Sequence, residues 1–159
     1  HQLLVKLAAE GTPIYGVNTG LGAAVDTAVA PVQASIPLGR AVGVGRLANR
    51  QELRAITAAR LAGLAQGRSG ISPGAADALL ALLNSGVEPD VPLLGSLGES
   101  DLAPLAHLSL ALSVPLTGKD GLALVSANAA SVGLGALLVA EAQRALEVLL
   151  AALALSCEG

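Results

Sequence analysis

Residues 95–107 read Gly-Ser-Leu-Gly-Glu-Ser-Asp-Leu-Ala-Pro-Leu-Ala-His. Glu99, Ser100 and Asp101 form an unbroken run of two carboxylates and a hydroxyl, framed by Gly95 and Gly98 and followed at once by an apolar stretch. Two explanations suit such a corner. Ser or Asp ahead of a helix caps its first N–H groups, and carboxylates there complement the helix dipole. That accounts for Ser100 and Asp101 but not for Glu99 directly after Gly98. An acid so placed is available to face a cation in a pocket.

A second chemical stretch is Thr-Pro-Ile-Tyr-Gly-Val-Asn-Thr-Gly-Leu-Gly over residues 12–22. Gly16, Gly20 and Gly22 require a loop whose backbone takes positive φ or approaches something closely. Tyr15 is the chain's single aromatic residue. A phenol there either fills space under the loop or accepts a proton, and an unperturbed value of about 10 needs nearby positive charge or a helix N-terminus to make it a base. Asn18 and Thr19 are turn formers or site residues in equal measure. Arg40 lies in an apolar, glycine-rich segment of a chain poor in charge, which suits a two-pronged grip on a carboxylate. His107 is expected as a core residue, and Lys119 and Asp120 as loop charges. No metal site is expected.

The 159 residues are enough for one domain, but the balance is unusual, with 53% hydrophobic and 13% charged residues. Soluble domains carry about 25% charged residues, so some of this surface is expected to be covered by more protein. A net charge of −3 without a basic cluster gives nucleic acid no footing. Cys157 stands alone, so no internal disulfide forms, and a cytoplasmic, reducing compartment fits. Glu141, Gln143, Arg144 and Glu147 interrupt the most apolar stretch, residues 132–155, and favour a bundle helix over a membrane span.

The elements that must position these residues are helical. Residues 1–10 end a helix at Gly11. Asn49, with Glu52 three residues on, starts a helix in which Leu53, Ile56, Arg60, Leu61 and Leu64 follow before Gly67 stops it. Ser72-Pro73 opens another, with Leu79, Leu80, Leu82 and Leu83 inward and Gly86 as its end. Residues 32–45 are left open in class, and residues 87–100 are expected as a connection. Further helices are expected from about Asp101 to Ser113, with Pro104 tolerated in the first turn, and from about Asn128 to Cys157. No period-two alternation stands out, so the fold class is all-α, a helical bundle with an irregular glycine-rich N-terminal loop region.

Three stretches together resemble the aromatic amino acid lyase superfamily, of which histidine ammonia-lyase is the reference. They are Tyr-Gly-Val-Asn-Thr-Gly-Leu-Gly (15–22), the 95–107 segment, and Gly-Leu-Ala-Leu-Val-Ser-Ala-Asn-Ala-Ala-Ser (121–131), which stands where that family has Leu-Ala-Leu-Ile-Asn-Gly-Thr. The resemblance implies that residues 1–159 are the N-terminal and early central-bundle portion of a longer ammonia-lyase-like domain. It also implies a carbon–nitrogen lyase acting on an amino acid, and a homotetramer with shared active sites. Tyr15 would then be the base that removes the β-proton, with Glu99 and Ser100 beside it as catalytic residues. Asn18, Gly22, Arg40 and Asn128 would bind substrate.

Departures from the family pattern sharpen the expectation. The family builds a methylidene-imidazolone from consecutive Ala-Ser-Gly, the glycine nitrogen attacking the alanine carbonyl. Here the place reads Gly98-Glu99-Ser100-Asp101, one residue short and without the glycine. Residues 99–101 are therefore expected to carry no such ring, and no other cofactor is expected. Arg40 replaces a family histidine, Ser126 replaces the Ile-Asn-Gly-Thr asparagine with Asn128 two residues on, and the Val114–Pro115 junction is shorter than the family's. A lyase without the ring needs a nitrogen that is already a good leaving group, such as a quaternary ammonium in a betaine-type amino acid. The alternatives are a conventional ammonia-lyase with an unusual ring triplet, and a non-catalytic helical assembly subunit.

Overall fold

The computed structural model describes residues 1–28 and 35–159. In chain order it forms α1 (Gln2–Ala9), a single 3₁₀ turn (Gly22–Ala24), α2 (Ser35–Leu38), β1 (Val44–Leu47), α3 (Arg50–Ala65), α4 (Pro73–Ser85), β2 (Pro92–Leu94), α5 (Leu102–Leu110), α6 (Asp120–Val125) and α7 (Ala129–Glu158). Helix makes up 58% and strand 6% of the structure, so the all-α class holds. The stretch 32–45 resolves into the short helix α2 and then β1, with residues 32–34 outside the described residues.

Helix starts follow the local chemistry. The Asn49 side chain accepts the Glu52 N–H at 3.0 Å while a Glu52 carboxylate oxygen accepts the Asn49 N–H at 2.9 Å, a reciprocal capping box that opens α3. Ser72 caps α4 by accepting from the Ala75 N–H, with Pro73 in the first turn, and Gly86 ends that helix at φ +75°. Ile56, Leu79, Leu105 and Leu124, from α3, α4, α5 and α6, are fully enclosed and form one continuous core.

Four expectations need correcting. β1 and β2 pair as a two-stranded antiparallel sheet, Val44 with Leu94 and Leu47 with Pro92, so β1 spends one more residue than its partner between those pairs. Gly45 at φ +84° takes up the extra residue as a bulge, which erases the alternation a strand this short could have shown. Pro92 fits because it opens an edge strand. Second, α5 stops at Leu110, and a separate short helix, α6, precedes α7. Third, Leu80 is 47% exposed, while its neighbour Leu79 carries the inward face of α4. Fourth, Asp120 is no loop charge. It is completely buried, and its carboxylate accepts the Ser72 N–H at 2.7 Å, the Ser72 hydroxyl at 2.8 Å and the Thr117 N–H at 2.8 Å.

α7 crosses α3 at unusually short range. A Cβ added at Gly133 would lie 2.6 Å from the Ala55 carbonyl carbon and 2.7 Å from the Ile56 nitrogen, so the backbones touch where only glycine fits. Beyond Leu137, α7 is exposed on every face, including Leu138, Leu149 and Leu153. The span Asp120–Glu158 is long and apolar enough by length and composition to cross a membrane, with Glu141, Arg144 and Glu147 inside it.

Arg46 in β1 forks onto Glu52 at 2.8 and 2.6 Å, tying the sheet to the start of α3. This bond holds the Glu52 carboxyl below its ordinary value.

Gly133→Ala should lower stability by about 1–3 kcal/mol through overpacking, although alanine is the better helix former by about 1 kcal/mol. Gly135→Ala, which meets nothing within 4 Å, should raise the denaturant midpoint instead. Equal effects at the two glycines would contradict the crossing. Glu52→Gln should cost about 1 kcal/mol at neutral pH. Because the folded carboxyl is depressed, its contribution is full above the unfolded value of about 4.3 and fades as pH falls through the folded one. Denaturation of wild type and Glu52→Gln at neutral pH and near pH 3 should show the gap closing in acid.

Candidate active site

The glycine-rich loop is built by its own polar atoms. The Asn18 side-chain oxygen accepts the Ile14 N–H at 2.7 Å, and its amide donates to the Thr12 carbonyl at 2.9 Å. Both ends of the Asn18 side chain therefore shape the turn. The Tyr15 hydroxyl oxygen accepts the Gly22 N–H at 3.1 Å, closing the loop across seven residues, and Gly22 sits at φ +57°. Tyr15 remains 45% exposed. Gly16 is buried at φ +71°, where a Cβ would meet the Leu122 side chain of α6 at 2.5 Å. The loop thus rests on α6.

The acidic corner rests on the other end of the same segment. The Asp101 N–H donates to the Ala127 carbonyl at 2.9 Å, just beyond α6. Leu122 and Ala127 are five residues apart in sequence. Arg60 supports the segment from beneath: it is 7% exposed, and its guanidinium donates to the Ala123 carbonyl. Burial pushes the Arg60 guanidinium down from its ordinary value. Its Nε is enclosed without a partner among the described residues.

Between the corner and the segment after α2 lies an open cleft of about 200 Å³. Arg40, Val42, Ser96, Leu97, Glu99 and Ser100 line it. The structure therefore brings together three of the residues singled out from sequence, an arginine, a glutamate and a serine. Arg40 is half-buried and, among the described residues, its side chain makes one hydrogen bond, from its guanidinium to the Ile36 carbonyl at 3.2 Å. Glu99 is exposed and Ser100 half-buried. Tyr15, Asn18, Gly22 and Asn128 are not among the residues that line this cleft. Asn128 is exposed at the start of α7 and makes no side-chain cap bond.

One residue that sequence reasoning passed over belongs to this region, and one that it read differently. Ser96 lines the cleft with its hydroxyl enclosed and, among the described residues, without a hydrogen bond. Its only signal was its place between Gly95 and the acidic triplet. Asp101, expected as a helix cap, makes no cap bond to α5. Its carboxylate instead accepts the Ser131 N–H at 2.7 Å and the Ser131 hydroxyl at 2.8 Å. His107 is a structural residue as expected, its Nε2 accepting the Gly43 N–H at 3.2 Å behind the cleft.

The corner fits poorly with a condensed ring made from residues 99–101. Closure would use the Asp101 nitrogen, whose N–H is committed to Ala127 and whose side chain is held by Ser131. Among the described residues no cluster of His, Cys, Asp or Glu could hold a metal ion.

The chain is similar to known proteins over most of its length. A probable histidine ammonia-lyase of Halobacterium salinarum is 37% identical over 84% of this chain and 31% of its own. Its alignment runs over 164 residues, so the relative carries additional residues within the matched region. Phenylalanine aminomutase of Pantoea agglomerans superposes with a TM-score of 0.86 at 31% identity, over 94% of this chain and 34% of its own. The ergothioneine-degrading ergothionase of Treponema denticola, solved with desmethyl-ergothioneine sulfonic acid, gives 0.82 at 27% identity, over 88% and 34%. The chain spans about a third of the length of these relatives. Residues 1–114 match the family description of aromatic amino acid lyases, and the chain belongs to that family.

Proposed function

We propose that this chain forms part of a cytoplasmic carbon–nitrogen lyase, a homotetramer that performs β-elimination on a betaine-type amino acid without a methylidene-imidazolone group. Neither nucleic acid nor membrane is a partner. One observation carries the proposal: Arg40 and Glu99 line the same cleft, so a cation binder and an anion binder face one small space. A betaine-type amino acid presents both complementary charges. The ergothionase neighbour degrades ergothioneine, whose trimethylammonium group is a fixed cation of this kind.

The roles follow from the chemistry. Arg40 grips the substrate carboxylate with its remaining donors. Glu99 faces the quaternary nitrogen, where its carboxylate orients the cation by opposite charge. Ser100 lies beside it as a hydroxyl partner. Tyr15 takes the β-proton, the C–H electron pair becomes the new double bond, and the C–N pair departs with the nitrogen as a neutral tertiary amine. The Gly22 N–H stays with the tyrosyl oxygen whichever way the proton moves. α6 serves as the common base of the tyrosine loop and the acidic corner.

The second candidate is a conventional ammonia-lyase with a ring built from residues 99–101, favoured by the histidine ammonia-lyase relatives. The engaged Asp101 nitrogen favours the linear corner.

Intact mass should equal the encoded chain; a deficit of two waters would establish the ring and overturn the proposal. Glu99→Gln should lower turnover of a trimethylammonium amino acid by about 10²–10³-fold, the cost of losing one well-aimed electrostatic group. Full activity in that variant would falsify the cation role. Tyr15→Phe should lose at least about 10²-fold in kcat while substrate binding, read by calorimetry, persists.

A further inference from the structure

Glu99 carries the acid on which the proposed chemistry turns, yet among the described residues its side chain makes no ion pair or hydrogen bond. Its neighbour two positions on is held on three sides. Asp101 is 7% exposed. Its N–H donates to Ala127 at 2.9 Å, and its two carboxylate oxygens accept the Ser131 N–H and hydroxyl at 2.7 and 2.8 Å. None of these bonds serves the helix that Asp101 precedes. Ser131 is the third residue of α7, so the carboxylate caps α7 from another part of the chain, in place of the Asn128 side chain.

We propose that Asp101 is a positioning residue. It fastens the acidic corner to the start of α7 and so sets where Glu99 stands in the cleft. The inference rests on the role given to Glu99 above. The corner has a fixed end at Asp101 and a swivel at Gly98, whose φ of +98° is open to glycine alone. With the fixed end released, Glu99 follows the swivel. Charge is not what the clamp uses: among the described residues no cation contacts the Asp101 carboxylate, and its partners are an N–H and an O–H. An asparagine could meet both, its carbonyl oxygen accepting the Ser131 N–H and its amide donating to the Ser131 hydroxyl.

The test compares Asp101→Ala, Asp101→Asn and Ser131→Ala in the intact protein. N,N,N-trimethylhistidine is the probe substrate, and amide hydrogen exchange is followed over residues 95–103. Asp101→Ala should lose about 100-fold in kcat, the usual result of an ångström of misplacement, with KM changed by no more than about 3-fold. Exchange at residue 101, whose N–H donates to the Ala127 carbonyl at 2.9 Å, should rise at least about 10-fold as the local opening grows. Asp101→Asn should restore kcat to within about 5-fold of wild type, because both hydrogen bonds survive. Equal losses in the alanine and asparagine variants would show that charge matters, not placement, and would overturn the proposal; so would an Asp101→Ala enzyme that keeps wild-type kcat. Should Asp101→Ala fail to fold, Ser131→Ala supplies the milder version, with a smaller kcat loss and the same rise in exchange; no change in either overturns the clamp. Should the wild-type protein fail to turn the probe over, the proposed function falls, and exchange at residue 101 decides the clamp by itself, unchanged protection in the variants counting against it.

Discussion

A carboxylate buried without a cation must be surrounded by N–H and O–H donors, and this fold is arranged around meeting that condition twice. Asp120, wholly enclosed, gathers donors from Ser72 and Thr117. Asp101 gathers them from Ser131. Part of each donor set comes from a helix start, Ser72 at α4 in one and Ser131 at α7 in the other, where backbone N–H groups have no partner within the helix, and Thr117 adds its donors from the turn before α6. An unmet acceptor in such a place costs on the order of 1–3 kcal/mol. The acids therefore fix which helix starts lie against which segments, and the apolar core fills the space so defined.

α6 is where these ties converge. Asp120 stands at its beginning, Arg60 holds its middle through the Ala123 carbonyl, and Asp101 meets the Ala127 carbonyl just beyond its end. Leu122 supports the tyrosine loop from the same helix. A six-residue helix has little stability of its own. Its three attachments make it a fixed platform, and both candidate halves of the active site stand on it.

Much of this was legible in the sequence. The capping box at Asn49, the Ser72-Pro73 start and the stops at Gly67 and Gly86 are local signals, and each operates as written. The grouping of Arg40, Glu99 and Ser100 follows from the ordered motifs. What stayed hidden depends on distant partners. Asp101 looks like a cap for the helix it precedes, and only the folded chain shows it serving one 30 residues away. Asp120 sits beside a lysine in a polar turn, and its burial is set by Ser72, 48 residues earlier. The small sheet is invisible because a bulge at Gly45 breaks a four-residue strand.

The glycine crossing on α7 has a mechanical consequence. The fulcrum at Gly133 stands two residues from Ser131, about 3 Å along the axis, while Glu158 on the outer stretch is about 37 Å away. Leverage therefore runs strongly in one direction. A swing of about 6 Å at Glu158 arrives at Ser131 as about half an ångström by that ratio of arms. Whatever jostles the outer helix, the short arm delivers only a small fraction of it to the acidic corner.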